Sequence, residues 1–529
     1  MGGSNNRSRG RRLAAVLGAF TLALVGAVSA STTASAVDDY GNINTNKAGS
    51  ILIHKHVHQT GTPVEASPDT ATDPNFSAPV SGVVFTAYKL DLDLSTQAGW
   101  DGLPAAVPAT ACDDHLTLGV DLTGASTESD PTGATGQTTI SYVAGQAVGA
   151  YLLCETDAPS TVVNRAQPFV VTIPFSYKRA TGTAESWLYD VNVYPKNGVT
   201  SINKTVAPQT DLGLGATATF PVTTKVPRIA ANENFTHYWV QDQMPSQITP
   251  KQVKEVVLGG TALTVIDDYT VTISGKLVSV EFTQAGLRKL KSAGPADLVT
   301  TYEGVVASIS PDGTATNTAY VSAATKVLAD APASPDSLKS PTEYGYVGTS
   351  DSVTQTWMDL NIKKVDVGDG VTGLAGAQFE VYEAAVPYPT TTCAATPKDG
   401  GLPISVLDSA TGNRRSVFTT TTGGALKIDG LFVSDTGNSV GNGQTKRCYV
   451  LKEVVPPAGF ILPTDGSELT AVVVGAGVTN AVIKNTRIQG VVLPMTGSDG
   501  IVVLSIAGLA LIAAGIVLAF LARRRRQTA

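Results

Sequence analysis

WLYDVNVYPKN, residues Trp187 to Asn197, reads as a strand that ends by presenting a lysine. Leu188, Asp190 and Asn192 alternate with Tyr189, Val191 and Val193, and a period of two with β-branched residues is the pattern of a half-buried strand. Pro195 lacks an amide hydrogen and fixes its own φ, so it should stop the ladder and leave Lys196 at a rigid strand end. Alone, the same residues also describe a solvated lysine ahead of an Asn-Gly turn.

Outward from this stretch the chain keeps the same character. It has 52 glycines, 29 prolines and only 15% charged residues, and long helical periodicity is confined to its two ends. That composition implies an all-β protein rich in turns. Residues 1–36 carry Arg7, Arg9, Arg11 and Arg12, an apolar run and Ala34-Ser35-Ala36, the layout of a secretory signal peptide. Residues 501–522 form an uncharged apolar segment long enough to cross a membrane, and the tail 523–529 opens with four arginines that should stay in the cytoplasm. Just ahead of it stands Leu493-Pro494-Met495-Thr496-Gly497.

Between the signal and Thr496 lie residues for three domains at about 150 each. Setting the ends aside moves the net charge from −7 to −14, which argues against a nucleic-acid or anionic-membrane partner. Four cysteines in an exported chain without a Cys-x-x-Cys spacing point to two disulfides rather than a metal centre. Of three possible pairings, local closure favours Cys112 with Cys154 and Cys393 with Cys448.

The expected domains span 37–197, 198–350 and 351–492. Each starts with a strand in which a lysine shares the apolar face: Ile51, Ile53, Lys55 and Val57; Ile202, Lys204 and Val206; Leu360, Ile362 and Lys364. The opposite face of the first strand carries His54, His56 and His58, read as a solvated row rather than metal ligands. Thr283 to Ser292 reads as a short helix, and Asp366 to Gly370 as a solvated turn rather than a cation loop. The stretches around Phe85 and Glu155 return around Phe379 and Glu453, so the first and third domains look like diverged copies of one module.

A charged ammonium in an apolar core costs several kcal/mol, so it must be paired or lose its proton. A neutral amine is a nucleophile. Where a protonated carboxyl polarises an asparagine side-chain amide, the amine can attack it and expel ammonia, leaving a lysine–asparagine isopeptide bond.

The ordered series of LPMTG, apolar span and arginine tail resembles the cell-wall sorting signal of Gram-positive surface proteins. Trp187 with Val191-Tyr194-Pro195-Lys196-Asn197 resembles the pilin motif of sortase-assembled fimbriae. LNIKKVD, LAGAQFEVYE and YVLKEVVPPAGF resemble collagen-adhesin type B domains, and the middle domain the related type A module. The resemblance implies tandem immunoglobulin-like β-sandwiches in the order B, A, B. It also implies that a sortase cuts between Thr496 and Gly497 within a motif that includes Leu493 and Pro494, and passes Thr496 to the Lys196 amine of an identical subunit. Isopeptide sets would be Lys204, Asn317 and the acid Asp242; Lys364, Asn485 and Glu453; and Lys55 with Glu155 and either Asn192 or Asn197, of which Asn197 is preferred.

The implied protein is a major shaft pilin of Actinomyces-type fimbriae supporting adhesion. Its implied partners are a pilin-specific sortase, a housekeeping sortase, peptidoglycan and a surface receptor whose identity the sequence does not give. No cofactor or metal is implied, and the implied chemistry is self-directed, not enzymatic turnover. A wall-anchored adhesin that does not polymerise is the alternative; an exported enzyme would need a convergent site, and the acids named above are better used in the crosslinks.

Overall fold

The computed structural model describes residues 43–58, 77–177, 186–341, 348–408, 411–436, 443–478, 481–488 and 498–525. Residues 1–36 and the pentapeptide 493–497, with Leu493, Pro494, Thr496 and Gly497, lie outside them. Strands dominate the described residues, and the chain divides into two compact units. The first holds Met1–Gln209, Thr217–Gln355 and Asp435–Asn442; the second holds Thr210–Ala216, Thr356–Ser434 and Gly443–Ala529.

In the first unit the strand Gly49–His54, which ends one residue before Lys55 and is not continuous with His56–Val57, runs parallel to Asp190–Val193 and antiparallel to Gln137–Tyr142. A four-stranded sheet packs across from it, in the order Leu122–Glu128, Val84–Leu90, Gly149–Asp157, Phe169–Ile173. Ile51, Ile53, Phe85, Ile140, Tyr151, Leu153 and Val191 fill the core between the layers. The other face of the four-stranded sheet is covered too, by Leu94, Ala111 and Leu118 packed on Leu90, Ala150 and Leu152. Burial on both faces is why Ala150 to Cys154 is a continuous apolar run instead of an alternating one. A disulfide from Cys112 to Cys154 ties that covering segment down.

The same unit contains a second sandwich. One layer runs Ile202–Lys204, Thr217–Val226, Ala296–Val306, Ile248–Leu258, Thr261–Ala262; the other contains Tyr269–Ser274, Leu277–Phe282, Glu233–Gln243 and Thr314–Val327 in that order. The expected helix is Gln284–Ala293, and the Thr283 hydroxyl caps it by accepting from the Gly286 amide.

The second unit repeats the plan of the first domain. Its lysine strand, Val353–Asp366, runs parallel to Ala481–Asn485, and its four-stranded sheet has the order Val417–Thr419, Gln378–Glu383, Lys446–Val455, Leu469–Gly475. In each copy the two central strands carry a bulge at the corresponding place, between Val84 and Phe85 and between Gln378 and Phe379. The bulges set Phe85 opposite Glu155 and Phe379 opposite Glu453. In each copy a disulfide reaches the strand that carries the acid, here from Cys393 to Cys448. Thr210–Ala216, read from the sequence as part of the middle domain, belongs to this unit. Leu407 and Phe432 donate amide hydrogens to Leu214 and Leu212 at 2.7 and 2.9 Å, and Arg414 pairs with Asp211. Gly213 is required there, because a Cβ would lie 2.1 Å from the Ser405 carbonyl oxygen.

Two local expectations change. The Trp187–Asn197 stretch is not one strand: it forms Ser186–Leu188 and Asp190–Val193, and after Pro195 the chain enters a new ladder, Lys196–Val199. The histidine row is not solvated. His54 is 2% and His56 9% exposed; His54 bonds Asn192 and Gln137 and stacks on Tyr194, and His56 bonds the Ser77 carbonyl. Alternation gave the faces correctly, but what covers each face comes from segments distant in sequence. At the other end, helix Ser498–Arg525 includes the apolar span Ser505–Arg524, with mean hydropathy 2.5.

The Cys112–Cys154 bond closes a 42-residue separation. Replacing both cysteines by alanine should lower first-domain stability by up to about 4 kcal/mol on the chain-entropy scale, read from the denaturant midpoint. The paired replacement of Cys393 and Cys448 should leave the first-domain transition in place.

Candidate functional site

Each of the three lysines lies buried against an acid and an asparagine. None of the nine side chains is more than 8% exposed. In the first domain Lys55 Nζ donates to Glu155 Oε2 at 2.7 Å, and Asn197 Nδ2 donates to Glu155 Oε1 at 2.9 Å. In the third, Lys364 Nζ donates to Glu453 Oε2 at 2.9 Å and also to Asn485 Oδ1, while Asn485 Nδ2 donates to Glu453 Oε1 at 2.7 Å. The acid thus holds both partners at once. Lys363, one residue away, points outward to the Gly423 carbonyl.

The middle set is built differently. Lys204 lies on one layer and donates to Asp242 Oδ2; Asp242 and Asn317 lie on neighbouring strands of the other layer. Both Asn317 amide atoms and Asp242 Oδ1 are buried without a well-formed hydrogen bond among the described residues. Buried polar atoms left in that state cost about 1–3 kcal/mol each.

Burial sets the electrostatics. It pushes the Lys55 amine down to about 8, against the attraction of Glu155, and lowers the Lys204 and Lys364 amines as well. Burial also pushes the Asp242 carboxyl up. In the middle domain the two directions agree: burial moves both groups toward a neutral amine beside a protonated acid. An aromatic face lies next to each amine, Phe85 at 5.4 Å from Lys55, Phe220 at 4.9 Å from Lys204 and Phe379 at 5.4 Å from Lys364. These rings close the apolar side of each site and were not singled out as site residues from sequence. Phe85 and Phe379 do stand at matching places in the two repeated stretches, which was the available signal.

Of the two asparagines open for the first domain, Asn197 reaches Glu155, whereas Asn192 Oδ1 is 2.8 Å from His54 Nε2. Lys196 opens the strand next to this site, in parallel register with His56, and is partly buried. Its charge is among the influences that lower Lys55. Trp187 packs near Trp100 of the disulfide-tied segment, with ring centroids 5.5 Å apart.

Elsewhere, the acids of the 366–370 turn are engaged locally. Asp366 pairs with Arg487 and accepts from the Gly368 amide, and Asp369 accepts from the Val371 and Thr372 amides. No group of three or more potential metal-ligating side chains occurs among the described residues. Among the described residues there is a hydroxyl–imidazole–carboxylate chain: Ser322 Oγ is 3.1 Å from His237 Nε2, and His237 Nδ1 is 3.3 Å from Asp336 Oδ2. Ser322 is buried in mid-strand, and the chain belongs to the fastening of residues 330–341 onto Glu233–Gln243, where Asp336 donates to the Thr236 carbonyl and Gln241 to that of Lys339.

Comparison with known proteins places the chain in a family. Residues 46–198 match the Gram-positive pilin subunit D1, N-terminal domain, and residues 488–528 match the LPXTG cell wall anchor motif. The chain is 38% identical to the fimbrial subunit type 2 of Actinomyces naeslundii, over 99% of this chain and 98% of that protein. It is 30% identical to the fimbrial subunit type 1 of Actinomyces viscosus over 99% of each. The full-length major pilin SpaD of Corynebacterium diphtheriae shares the fold, with a TM-score of 0.62 at 24% identity over 85% of this chain and 100% of that one. The fimbrial protein FimP of Actinomyces oris gives 0.50 at 25% identity over 84% and 99%. Identity sustained along almost the whole of both fimbrial relatives leaves no domain outside the likeness, and the chain belongs to the Actinomyces-type fimbrial subunits, pilins carried on the Gram-positive cell wall.

Proposed function

We propose that this chain is the shaft subunit of a fimbria, polymerised head to tail by a sortase that joins Thr496 of one subunit to Lys196 of the next. The observation that carries the reading is that one chain combines a pilin D1 domain ending at residue 198, and so containing Lys196, with a wall-anchor motif containing Thr496. One donor and one acceptor per subunit give a heterologous contact, which builds an open filament instead of a closed ring. The sortase holds Thr496 as a thioester; the Lys196 amine attacks its carbonyl carbon, an amide forms, and the sortase thiol leaves. A housekeeping sortase then transfers the polymer to peptidoglycan.

The second part of the reading is internal. Lys55 with Asn197, Lys204 with Asn317 and Lys364 with Asn485 form isopeptide bonds, promoted by Glu155, Asp242 and Glu453. The amine nitrogen attacks the asparagine Cγ, the new C–N bond replaces the bond to Nδ2, and the acid relays the proton that lets Nδ2 leave as ammonia. The buried contacts at the first and third sites, and the unsatisfied amide at the middle one, support this assignment.

Three measurements test it. In wall-released protein boiled in detergent and reductant, the wild type should give a ladder that collapses to monomer in Lys196→Ala; an unchanged ladder would assign the acceptor to another lysine. By intact mass the exported subunit should be three ammonia molecules lighter than its sequence, and Glu155→Ala, Asp242→Ala and Glu453→Ala should each retain one; a wild type of full mass would remove the crosslinks. The third measurement is pH dependence at the first site, where the reactive state holds one proton shared by Lys55 and Glu155. Raising the pH through about 8 strips that proton from the pair, and none is left to protonate the departing Nδ2. First-domain crosslinking in chains freshly made in a cell-free system should therefore be flat below about pH 8 and slow above it; a rate that climbs above pH 8 would exclude the shared-proton mechanism.

A further inference from the structure

The strand that opens with Lys196 meets its own domain and the next. Among the described residues it pairs with His56–Val57 on one side and, through an irregular register, with Val162–Asn164 on the other. Asn197 anchors it to the first site, and a brace from the middle domain reaches its far end. His58 donates from its backbone amide to the Asn197 carbonyl at 2.9 Å, and its ring Nε2 lies 2.7 Å from Asn164 Oδ1. Asn164, fully buried, turns its Nδ2 to Glu233 Oε2 across the seam between the two domains. Thr325 Oγ1 donates to the same Glu233 oxygen at 2.7 Å, and Gln167 Nε2 donates to Oε1 at 3.1 Å. Gly198 marks where the seam touches the strand itself, because a Cβ there would meet Asn164 Cβ at 2.8 Å and the Arg228 carbonyl oxygen at 2.9 Å.

We propose that Glu233 is a positioning residue for the acceptor amine. Through Asn164 and His58 it braces the strand Lys196–Val199 from the middle-domain side, so that Lys196 is presented in an attacking position only while the two domains are docked. The inference rests on the reading of Lys196 as acceptor. Its physical basis is that Glu233 accepts on both oxygens inside a buried seam; without that acceptor the Asn164 amide is left with Thr325 Oγ1 and the Thr325 hydroxyl with the Val163 carbonyl, and the strand's far edge loses its tie to the middle-domain acid. A displacement of about 1 Å at a nucleophile can cost on the order of a hundredfold in rate.

The test expresses full-length Glu233→Gln, Lys196→Ala and the swapped pair Asn164→Asp with Glu233→Gln, each alone and each epitope-tagged beside the wild type. The disrupting single variant is Asn164→Asp, expressed in the same two ways: it sets two carboxylates face to face, acceptor against acceptor, whereas in the swapped pair the amide introduced at 233 donates to the carboxylate at 164 and the bond is restored with the roles exchanged. Expressed alone, Asn164→Asp should shorten the boiled ladder by about tenfold or more, and Glu233→Gln, whose amide oxygen can still accept from Asn164, by less. Beside the wild type Asn164→Asp should still join, but once per polymer, because its Thr496 is sound and its amine is displaced. The swapped pair should restore the ladder, and purified Asn164→Asp should keep the wild-type ammonia losses while melting a few degrees lower. If Lys196→Ala polymerises normally, the acceptor reading fails and this inference with it. If Lys196→Ala terminates chains while Asn164→Asp forms a full ladder, only the positioning role is overturned. It is also overturned if Asn164→Asp fails to join beside the wild type, lacks an ammonia loss, or is not rescued by the swap, since the pair would then serve folding alone.

Discussion

A lysine amine held beside a carboxyl in an apolar core is the constraint around which each module is arranged. Left charged, such a pair loses more by desolvation than a surface pair loses, and it survives only with close geometry and full hydrogen bonding. Here the geometry is supplied three times, by a lysine from an early strand, an acid from the sheet opposite or the layer across, and an asparagine from a late strand. An aromatic face lies beside each amine. Burial lowers all three amines and raises Asp242, which moves these groups toward the neutral forms that the proposed amide exchange uses.

The arrangement differs between modules in a way that matters under load. In the first and third domains the lysine strand runs parallel to the strand near the end of the module, in the registers Ile53 to Val193 and Lys364 to Ile483. A chain pulled at its two ends would shear such strands along each other. The proposed bonds Lys55 to Asn197 and Lys364 to Asn485 tie that pair, so tension bypasses the hydrogen-bonded core between them. In the middle domain, Lys204 and Asn317 stand on different layers, and a bond there fastens one sheet to the other. The disulfides serve a separate purpose, securing the segments around Cys112 and Cys393 to the strands that carry the acids.

Family membership and buried geometry meet at Lys196. The residue belongs to the D1 domain, yet its strand adjoins two unlike supports: Asn197 leads into the first lysine–acid site, and Gly198 abuts the segment at Arg228. Positions flanking the proposed acceptor are therefore constrained from both sides, by a carboxyl inside its own domain and by the neighbouring domain outside it.

The sequence by itself determined the all-β character, the parity that turns Lys364 inward and Lys363 outward, the repeat of the first module in the third, and the family, and it favoured one of three cysteine pairings, which the structure shows. These follow from period, spacing and motif, which are local quantities. Only the tertiary structure decided that Glu155 reaches Asn197 while Asn192 is taken by His54, that Thr210–Ala216 belongs with the second unit, and that the histidine row is buried. Alternation says which residues share a face, but the partner that covers a face comes from chain tens to hundreds of residues away. The Asn164 to Glu233 contact joins positions 69 residues apart in two domains, and neither residue sits in a periodic pattern or motif that would have marked it.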